Sequence, residues 1–313
     1  MKRYVAGLDG GGTKTAVTVA DENGLVMHTF TSGAINYNGQ DEVSVRSSLQ
    51  DIFKIIDEVC GGLEYCTQVC IGAAGVSNPT VVDRLESNVR ECGYQGELFI
   101  TGDQETALCG AHDSDHGIII IAGTGSICYG KNESGLSHRS GGYGYLIDDE
   151  GSGYSIGRDL LSVLVRAHDG RLPETAITGM VFERLQMESV QQIIRFVYDK
   201  RTNKKDIAAL APILSDACAL GDEAALAIAR KSASSLVELV GPVAEKLSLQ
   251  EGTLAMAGSV LIKNSFVRTA FVEILKQAYP GMPCITAKKD ASSGAVFMAL
   301  KRLKLFDEGR ARG

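Results

Sequence analysis

The sequence predicts an α/β protein built from two copies of one strand-and-helix unit. Two glycine-rich turns carry this prediction: Asp-Gly-Gly-Gly-Thr-Lys-Thr at 9–15 and Ala-Gly-Thr-Gly-Ser at 122–126. Each turn lies between two strand-like segments, and a third strand follows both. With 313 residues, the chain is also longer than one compact domain usually is, so we expect two domains.

The first half of the chain has the order β-β-β-α-β, continued by further helices and a strand. A hairpin turn is expected at Asn23-Gly24, because Asn-Gly favours tight turns between strands. The expected strands are 4–8, 16–20, 25–31, 68–74 and 98–101, and the expected helices are 42–59, 81–92 and 104–111.

The second half repeats the strand order and then becomes mostly helical. Its hairpin is expected to turn at Ser134-Gly135, and the charged tail 306–313 is expected to fray. The domain boundary is expected within 112–116. The expected strands are 117–121, 127–130, 253–257 and an edge strand at 283–286, and the expected helices are 154–167, 173–185, 190–198, 206–220, 222–247, 265–278 and 292–303.

Composition argues against several classes of partner. The net charge is −7 and no dense stripe of Lys and Arg occurs, so neither nucleic acid nor an anionic membrane is expected as the main partner. No apolar segment has the length of a signal peptide or a membrane span, and the protein is expected to be cytoplasmic. A metal cluster of Cys60, Cys66 and Cys70 is disfavoured, because no His or fourth Cys has zinc-ligand spacing with them.

The two glycine-rich turns together predict ATP binding. Backbone N–H groups approach phosphate oxygens closely where no Cβ intervenes, and hydroxyl and ammonium groups add donors. One such run alone can equally be a tight β-turn, but two runs with hydroxyl residues favour phosphate. Neither run has the spacing of a P-loop or of a dinucleotide fingerprint. The candidate phosphate-binding residues are Gly10, Gly11, Gly12, Thr13, Lys14, Gly123, Thr124, Gly125 and Ser126.

Two aspartates at strand ends are candidates for the chemistry of phosphoryl transfer. Asp103 ends a strand and opens a helix, where it can act as a general base, as a helix N-cap, or as both. Asp9 precedes the first glycine run, a position that suits a carboxylate holding hydrated Mg²⁺. Lys14 either reaches a phosphate or is a solvated strand lysine.

A third dense segment, 141–154, combines glycines, aromatic residues and three carboxylates before a helix. Carboxylates and amides suit the hydroxyls of a sugar, and an aromatic face suits its C–H surface. Gly142, Tyr143 and Asp149 are the candidates here. The alternative is a solvated acidic loop in which Asp149 caps the helix. Asn36 is ambiguous on its own, since loop asparagines are common.

Taken in order along nearly the whole chain, these motifs resemble the BadF/BadG/BcrA/BcrD ATPase family, in particular its N-acetylglucosamine kinase branch. The resemblance rests on the two glycine runs, the Asn36 loop, Thr101-Gly-Asp103, Gly142-Tyr-Gly and Asp149-Glu-Gly-Ser. It implies an actin-like fold of two ATPase domains, each with a ribonuclease H-like core, and an active-site cleft between them. The implied domains are 1–114, completed by the C-terminal helix 290–304, and 115–289 with helical insertions.

The resemblance also implies an activity and a set of roles. The activity is transfer of the ATP γ-phosphate to the 6-hydroxyl of an amino sugar, with Mg²⁺, and Asp103 matches the catalytic base. Asn36 and Asp149 match sugar-binding positions, and Gly258 and Ser259 match the adenosine-side turn. Amino sugar and ATP are the implied partners, and a homodimer stays open.

One departure and two alternatives remain. The branch often has Trp where this chain has Tyr143, which leaves N-acetylmuramate, glucosamine and glucose open as substrates. An ATPase that activates a dehydratase or reductase through an iron–sulfur cluster would need a cysteine beside a Gly-Thr-Gly run, whereas Cys128 falls on the return strand. A sugar-sensing regulator would need an added DNA-binding module, and the first strand already begins at residue 4.

Overall fold

The computed structural model describes residues 2–37 and 40–311. The chain is an α/β protein, as predicted, and its contacts divide it into two compact units. Unit 1 comprises Met1–His116 together with Ala287–Gly313, and unit 2 comprises Gly117–Thr286. Each unit contains one five-stranded sheet.

The first segment of unit 1 contains five strands and three helices. The strands are β1 (Tyr4–Gly10), β2 (Lys14–Asp21), β3 (Val26–Gly33), β4 (Cys66–Ala73) and β5 (Glu97–Gly102). The helices are α1 (Glu42–Cys60), α2 (Pro79–Glu91) and α3 (Asp103–His112).

The sheet of unit 1 brings four strand ends to one edge. Its order is β3-β2-β1-β4-β5, with β1, β4 and β5 parallel and β2 antiparallel to both of its neighbours. The carboxyl ends of β1, β3, β4 and β5 therefore share one edge. Asp9 is in register with Gly72 of β4, and Gly72 with Thr101 of β5. This edge thus gathers the residues that follow each strand.

Unit 2 repeats the strand topology and adds helices. Its elements are β6 (Gly117–Ala122), β7 (Ser126–Lys131), β8 (Ser137–Gly141), α4 (Gly153–His168), α5 (Ala176–Leu185), α6 (Val190–Tyr198), α7 (Lys204–Ala208), α8 (Pro212–Ala219), α9 (Glu223–Leu247), β9 (Leu254–Ala257), α10 (Ser259–Lys263), α11 (Ser265–Ala278) and β10 (Cys284–Thr286). The sheet order β10-β9-β6-β7-β8 matches that of unit 1 strand for strand. The predicted duplication is confirmed.

The chain then returns to unit 1 as α12 (Ala291–Ala311). Backbone packs directly against backbone here: a Cβ at Gly294 would lie 1.9 Å from the carbonyl oxygen of Thr106 on α3, and one at Gly7 of β1 would lie 2.3 Å from that of Ser292. The opposite face of the sheet is covered by buried apolar side chains of α1. Glycine therefore allows α12 to lie close to both β1 and α3.

The structure corrects several predicted elements. The predicted helix 206–220 is two helices, because Pro212 cannot continue the hydrogen bonding of α7 and instead starts α8. Helix α5 starts at Ala176, later than predicted, with Thr175 as its N-cap. The short helix α10 was not predicted, and the tail expected to fray from residue 306 continues α12 to Ala311. No helix among residues 2–37 and 40–311 has the length and apolarity that crossing a membrane requires.

Candidate active site

Two predicted carboxylates lie at the shared strand edge of unit 1. Asp9 is the second-last residue of β1, and Asp103 directly follows β5 as the first residue of α3. The expectation that Asp103 is the N-cap is wrong, because Gly102 occupies that position. One oxygen of Asp103 accepts a hydrogen bond from the backbone N–H of Gln104 at 3.0 Å. The cap position thus does not explain why an aspartate stands at 103.

Burial perturbs both carboxyl groups. It raises the pKa of Asp9 to about 6, with smaller contributions from the charges of Asp103 and Asp290, while Lys14 acts in the opposite direction. Burial also raises the pKa of Asp103, against the hydrogen bond from Gln104. Two partly buried carboxyl groups with raised pKa values are typical of functional sites rather than of structural ion pairs.

Asp290 is a neighbour that sequence reasoning missed. Its side chain accepts hydrogen bonds from the Ser293 backbone at 2.8 Å and from the Ser292 hydroxyl at 3.0 Å, at the start of α12. Burial alone would raise the pKa of Asp290, but these hydrogen bonds lower it. Local sequence marks this aspartate as a helix start, whereas its proximity to Asp9 depends on the return of the chain to unit 1.

This edge of unit 1 suits a hydrated magnesium ion. A cation beside Asp9 would offset the burial of its charge and the repulsion from Asp103 and Asp290. Mg²⁺ keeps several waters and needs only one or two carboxylates. Within the described part of the chain, no cluster of three or more His, Cys, Asp or Glu side chains has a geometry for direct metal coordination. Asp9 is the residue at this edge that could hold such an ion through water.

The first glycine loop is a short connection between β1 and β2. The N–H of Gly11 donates to the carbonyl of Asp9 at 3.1 Å, and a Cβ at Gly10 would lie 2.8 Å from Cγ1 of Ile35. After Gly12, the chain continues with Thr13 and Lys14, whose side chains are both exposed. Strand β2 begins at Lys14. The ammonium group of Lys14 is close enough to Asp9 to oppose the rise in the pKa of that carboxyl group.

Asn36 follows β3 and therefore lies at the same edge of the unit 1 sheet. It is 9% exposed and comes directly after Ile35, which is fully buried in the core. A buried loop amide in this position is held by its surroundings rather than solvated. Asn36 thus joins Asp9 and Asp103 at one edge of unit 1.

The second glycine loop lies on the beginning of α4. The N–H groups of Gly153 and Tyr154 donate to the carbonyl oxygens of Gly123 and Thr124 at 2.7 and 3.2 Å. The N–H of Gly123 donates to the carbonyl of Gly125 at 2.9 Å. These hydrogen bonds fix the conformation of the loop. They also satisfy two backbone N–H groups in the first turn of α4, which have no acceptor within the helix.

Asp149 supports this second loop. It is 4% exposed, and its Oδ1 accepts from the backbone N–H of Ser126 at 3.1 Å. Burial raises the pKa of Asp149, while the Ser126 hydrogen bond lowers it. The helix is capped by Ser152, so the alternative in which Asp149 is the cap is wrong. A substitution at Asp149 would consequently disturb the second glycine loop.

A cavity of about 480 Å³ opens beside the second loop within unit 2. This volume is in the range of small-molecule sites. Gly123, Thr124 and Ser259 line it, as predicted phosphate-side and adenosine-side residues. Sequence reasoning missed the rest of its wall, which α4, α5, α7, α8, α10 and the segments after α7 and α10 supply: Gly153, Ile156, Arg184, Lys205, Ala208, Ala209, Ala211, Pro212, Ser215, Asp216, Val260, Lys263 and Asn264.

Gly258 directly precedes Ser259, which lines this cavity. Its φ is 86°, and a Cβ there would lie 2.3 Å from the carbonyl oxygen of Ala122. Only glycine permits both the left-handed backbone and this approach to the end of β6. Gly258 thereby places Ser259 and α10 beside the second glycine loop.

Tyr143 lies apart from the cavity lining, on an exposed loop of unit 2. Its side chain is 60% exposed, and its ring centroid lies 4.8 Å from the guanidinium carbon of Arg139. Gly142 before it has a φ of 77°, and the N–H of Tyr143 donates to Asp148 at 3.0 Å. The loop therefore presents an aromatic face to solvent in a defined conformation.

Comparison with known proteins identifies the family. The model of the BadF/BadG/BcrA/BcrD ATPase family matches residues 6–299. The chain belongs to this ATPase family. A relative named N-acetylmuramic acid/N-acetylglucosamine kinase, from Clostridium acetobutylicum, is 35% identical over 95% of this chain and 98% of its own length. An N-acetyl-D-glucosamine kinase of Dictyostelium discoideum is 30% identical over 97% and 99%.

Solved structures support the predicted fold class. A candidate N-acetylglucosamine kinase from Chromobacterium violaceum superposes with a TM-score of 0.78 at 24% identity, covering 95% of this chain and 99% of that one. A ROK family glucokinase from Streptomyces griseus superposes with a TM-score of 0.59 at 18% identity, covering 95% and 98%. The resemblance inferred from the motifs is confirmed, and so is the fold class of actin-like sugar kinases.

Proposed function

We propose that this protein transfers the γ-phosphate of ATP to the 6-hydroxyl of an N-acetylated amino sugar, N-acetylglucosamine or N-acetylmuramate. The observation that carries the proposal is the pair of perturbed carboxyl groups, Asp9 and Asp103, at the shared strand edge of unit 1. The names of the two relatives at 35% and 30% identity support the same substrate class. ATP as the donor favours a reaction in the cytoplasm, and the net charge of −7 argues against nucleic acid or an anionic membrane as the main partner.

Asp103 is the proposed general base. A sugar hydroxyl is a weak nucleophile, and a carboxylate within hydrogen-bond reach orients it and accepts its proton as the phosphoryl group transfers. Burial raises the pKa of Asp103, which makes the carboxylate a better proton acceptor than a solvated aspartate. The Gln104 N–H donates to one of the two carboxylate oxygens of Asp103, and a carboxylate can accept about four hydrogen bonds in all.

The proposed ATP-binding elements are the two glycine loops and the cavity in unit 2. The cavity combines apolar surface for a base with Ser, Asp and Lys side chains for a ribose or phosphate. Gly10–Lys14 and Gly123–Ser126 supply phosphate donors, and the turn at Gly258 and Ser259 contacts the adenosine side. Mg²⁺, held through water by Asp9, would neutralise charge on the transferring phosphate.

Asn36, Gly142, Tyr143 and Asp149 are the proposed sugar contacts besides Asp103. An amide and a carboxylate suit paired hydroxyl groups, and the exposed ring of Tyr143 suits the acetamido or lactyl side of a sugar. The open backbone of the Gly142 turn offers further donors. This assignment is the part of the proposal that decides between acetylated sugars and glucose.

The activator alternative is disfavoured by the position of Cys128. A cluster shared between two subunits needs a cysteine that reaches the protein surface. Cys128 is fully buried in β7, and burial raises the pKa of its thiol, which opposes thiolate ligation.

Replacement of Asp103 by Asn tests the proposed base directly. Asparagine keeps an acceptor for the Gln104 N–H and removes the proton acceptor, so stability should change little. Phosphoryl transfer should fall by about two to four orders of magnitude, the usual contribution of a positioned base. Sugar phosphate formation and thermal unfolding are measured on the same samples. Turnover near that of the unmodified protein, in a folded variant, would exclude Asp103 as the base.

A further inference from the structure

A polar cluster in unit 1 joins the loop of Asn36 to two helices that have no part in the proposed chemistry. Tyr37, directly after Asn36, meets Glu42 at the start of α1 and Asn88 and Arg84 on α2. We call these four residues the Tyr37 clamp. Its members are described residues of one unit, and none of them was singled out from sequence.

Hydrogen bonds in the clamp converge on the Tyr37 hydroxyl and the Glu42 carboxylate. The amide of Asn88 donates to the Tyr37 hydroxyl and to Oε1 of Glu42, each at 2.6 Å. The Tyr37 hydroxyl in turn donates to the same Glu42 oxygen at 3.3 Å. Asn88 is 2% exposed. Its side-chain NH₂ group is therefore shielded from water, and its two hydrogen bonds both lie within the clamp.

Arg84 closes the clamp from the outside. Its Nε donates to Oε2 of Glu42 at 2.9 Å, and its guanidinium carbon lies 3.9 Å from the centroid of the Tyr37 ring. Hydrogen bonds from Asn88 and Arg84 lower the pKa of Glu42, so the carboxylate stays charged and the Arg84 contact persists at neutral pH. The ring of Tyr37 thus lies between a cation and the core of unit 1.

We propose that the Tyr37 clamp is a positioning device that holds Asn36 ready for the sugar, so that Arg84 and Tyr37 set sugar affinity without touching sugar or nucleotide. This inference rests on the proposed function. Asn36 is preceded by the fully buried Ile35 and followed by the clamped Tyr37. The two anchors leave its backbone little freedom, and a preformed loop binds without first losing conformational entropy.

The chain offers a matched control for this proposal. Arg46 of α1 pairs with Glu91 of α2 at 2.9 Å, and Arg84 of α2 pairs with Glu42 of α1. Both pairs join the same two helices and have similar exposure. Of these two pairs, the Arg84 pair lies against Tyr37. Arg84→Met should therefore loosen the Asn36 loop, whereas Arg46→Met should leave it unchanged.

Steady-state kinetics of the full chain separates the outcomes. If the clamp holds the loop in its binding conformation, Arg84→Met lowers the competent fraction and raises KM for N-acetylglucosamine about tenfold, with kcat and KM for ATP unchanged. Tyr37→Phe removes only the hydroxyl, and with it the hydrogen bond from Asn88 and the longer one to Glu42, so it should raise the same KM about threefold. Arg46→Met should change none of these constants.

Hydrogen exchange gives a second measurement that does not depend on turnover. Amides of 34–37 should exchange faster in Arg84→Met than in the unmodified protein, and at the unmodified rate in Arg46→Met. An unchanged sugar KM in folded Arg84→Met, or an equal rise in KM for ATP, would overturn the clamp. Failure of the unmodified protein to phosphorylate any sugar would instead overturn the proposed function, and with it the role given to the clamp.

Discussion

Asp9 illustrates at the residue scale how a proposed functional group costs stability. Its carboxyl group is mostly buried with only Lys14 as a favourable charge, and its pKa lies at about 6 against an ordinary value of 3.8. Between these values the folded protein holds the proton that the unfolded chain has released. Because the folded state binds more protons there, stability falls as pH rises from about 4 to about 6 and stays reduced above it.

The Asp9→Asn variant tests this cost. Asparagine carries no charge, so at pH 7 the variant should be more stable by up to about 3 kcal/mol, which is the free energy that corresponds to the difference between the two pKa values. Below pH 4 the two proteins should unfold alike. Urea unfolding at several pH values measures this, with the exposed Asp51→Asn of α1 as the control. If Asp9→Asn is less stable than the unmodified protein at pH 7, the buried charge of Asp9 does not destabilise the folded state.

Local patterns predicted some residues better than others, for reasons that Asp103 and Asp290 make plain. Asp103 stands out in the sequence because it follows a predicted strand. The structure places Gly102, and not Asp103, at the N-cap of α3. Asp290 reads only as the start of a helix, since its place near Asp9 depends on the packing of α12 against β1 and α3. Such long-range proximity leaves no local signal.

At the scale of elements, the two hairpins were predictable and the cavity wall was not. Strand periodicity and glycine turns define β1–β2 and β6–β7 with little dependence on context. The wall made by α7 and α8 depends on the break at Pro212 and on how both helices pack near α4. Apolar periodicity predicts that these segments are helical. It does not predict that they line a cavity.

The second glycine loop offers a clean test at this scale. A Cβ at Gly123 meets no protein atom within 4 Å, so Gly123→Ala should fold normally while placing a methyl group where phosphate is expected. KM for ATP should rise about ten- to a hundredfold, through loss of about 1 to 3 kcal/mol of hydrogen bonding. KM for the sugar should change little.

Gly179 of α5 is the matched control for Gly123. A Cβ there also meets no atom within 4 Å, and alanine in a helix should stabilise the protein by about 0.5 to 1 kcal/mol. Kinetic constants and unfolding are measured for both variants. An unchanged KM for ATP in folded Gly123→Ala would remove this loop from the nucleotide site.

At the scale of the whole molecule, the two units share one sheet topology and have different additions. Unit 1 receives α12 from the end of the chain, whereas unit 2 carries the helices α4–α9 between its third and fourth strands. The proposed base Asp103 belongs to unit 1, and the second glycine loop belongs to unit 2. The duplication therefore accounts for the two glycine loops, one between the first two strands of each unit.

The most direct measurement is phosphoryl transfer from ATP, with Mg²⁺, to a panel of N-acetylglucosamine, N-acetylmuramate, glucosamine and glucose. We predict that an acetylated sugar gives the highest kcat/KM, because Asn36, Asp149 and the Tyr143 loop offer an amide, a carboxylate and an aromatic face beyond what glucose uses. The highest kcat/KM for glucose would contradict the acetamido assignment. ATP hydrolysis without phosphorylation of any sugar would contradict the kinase assignment itself.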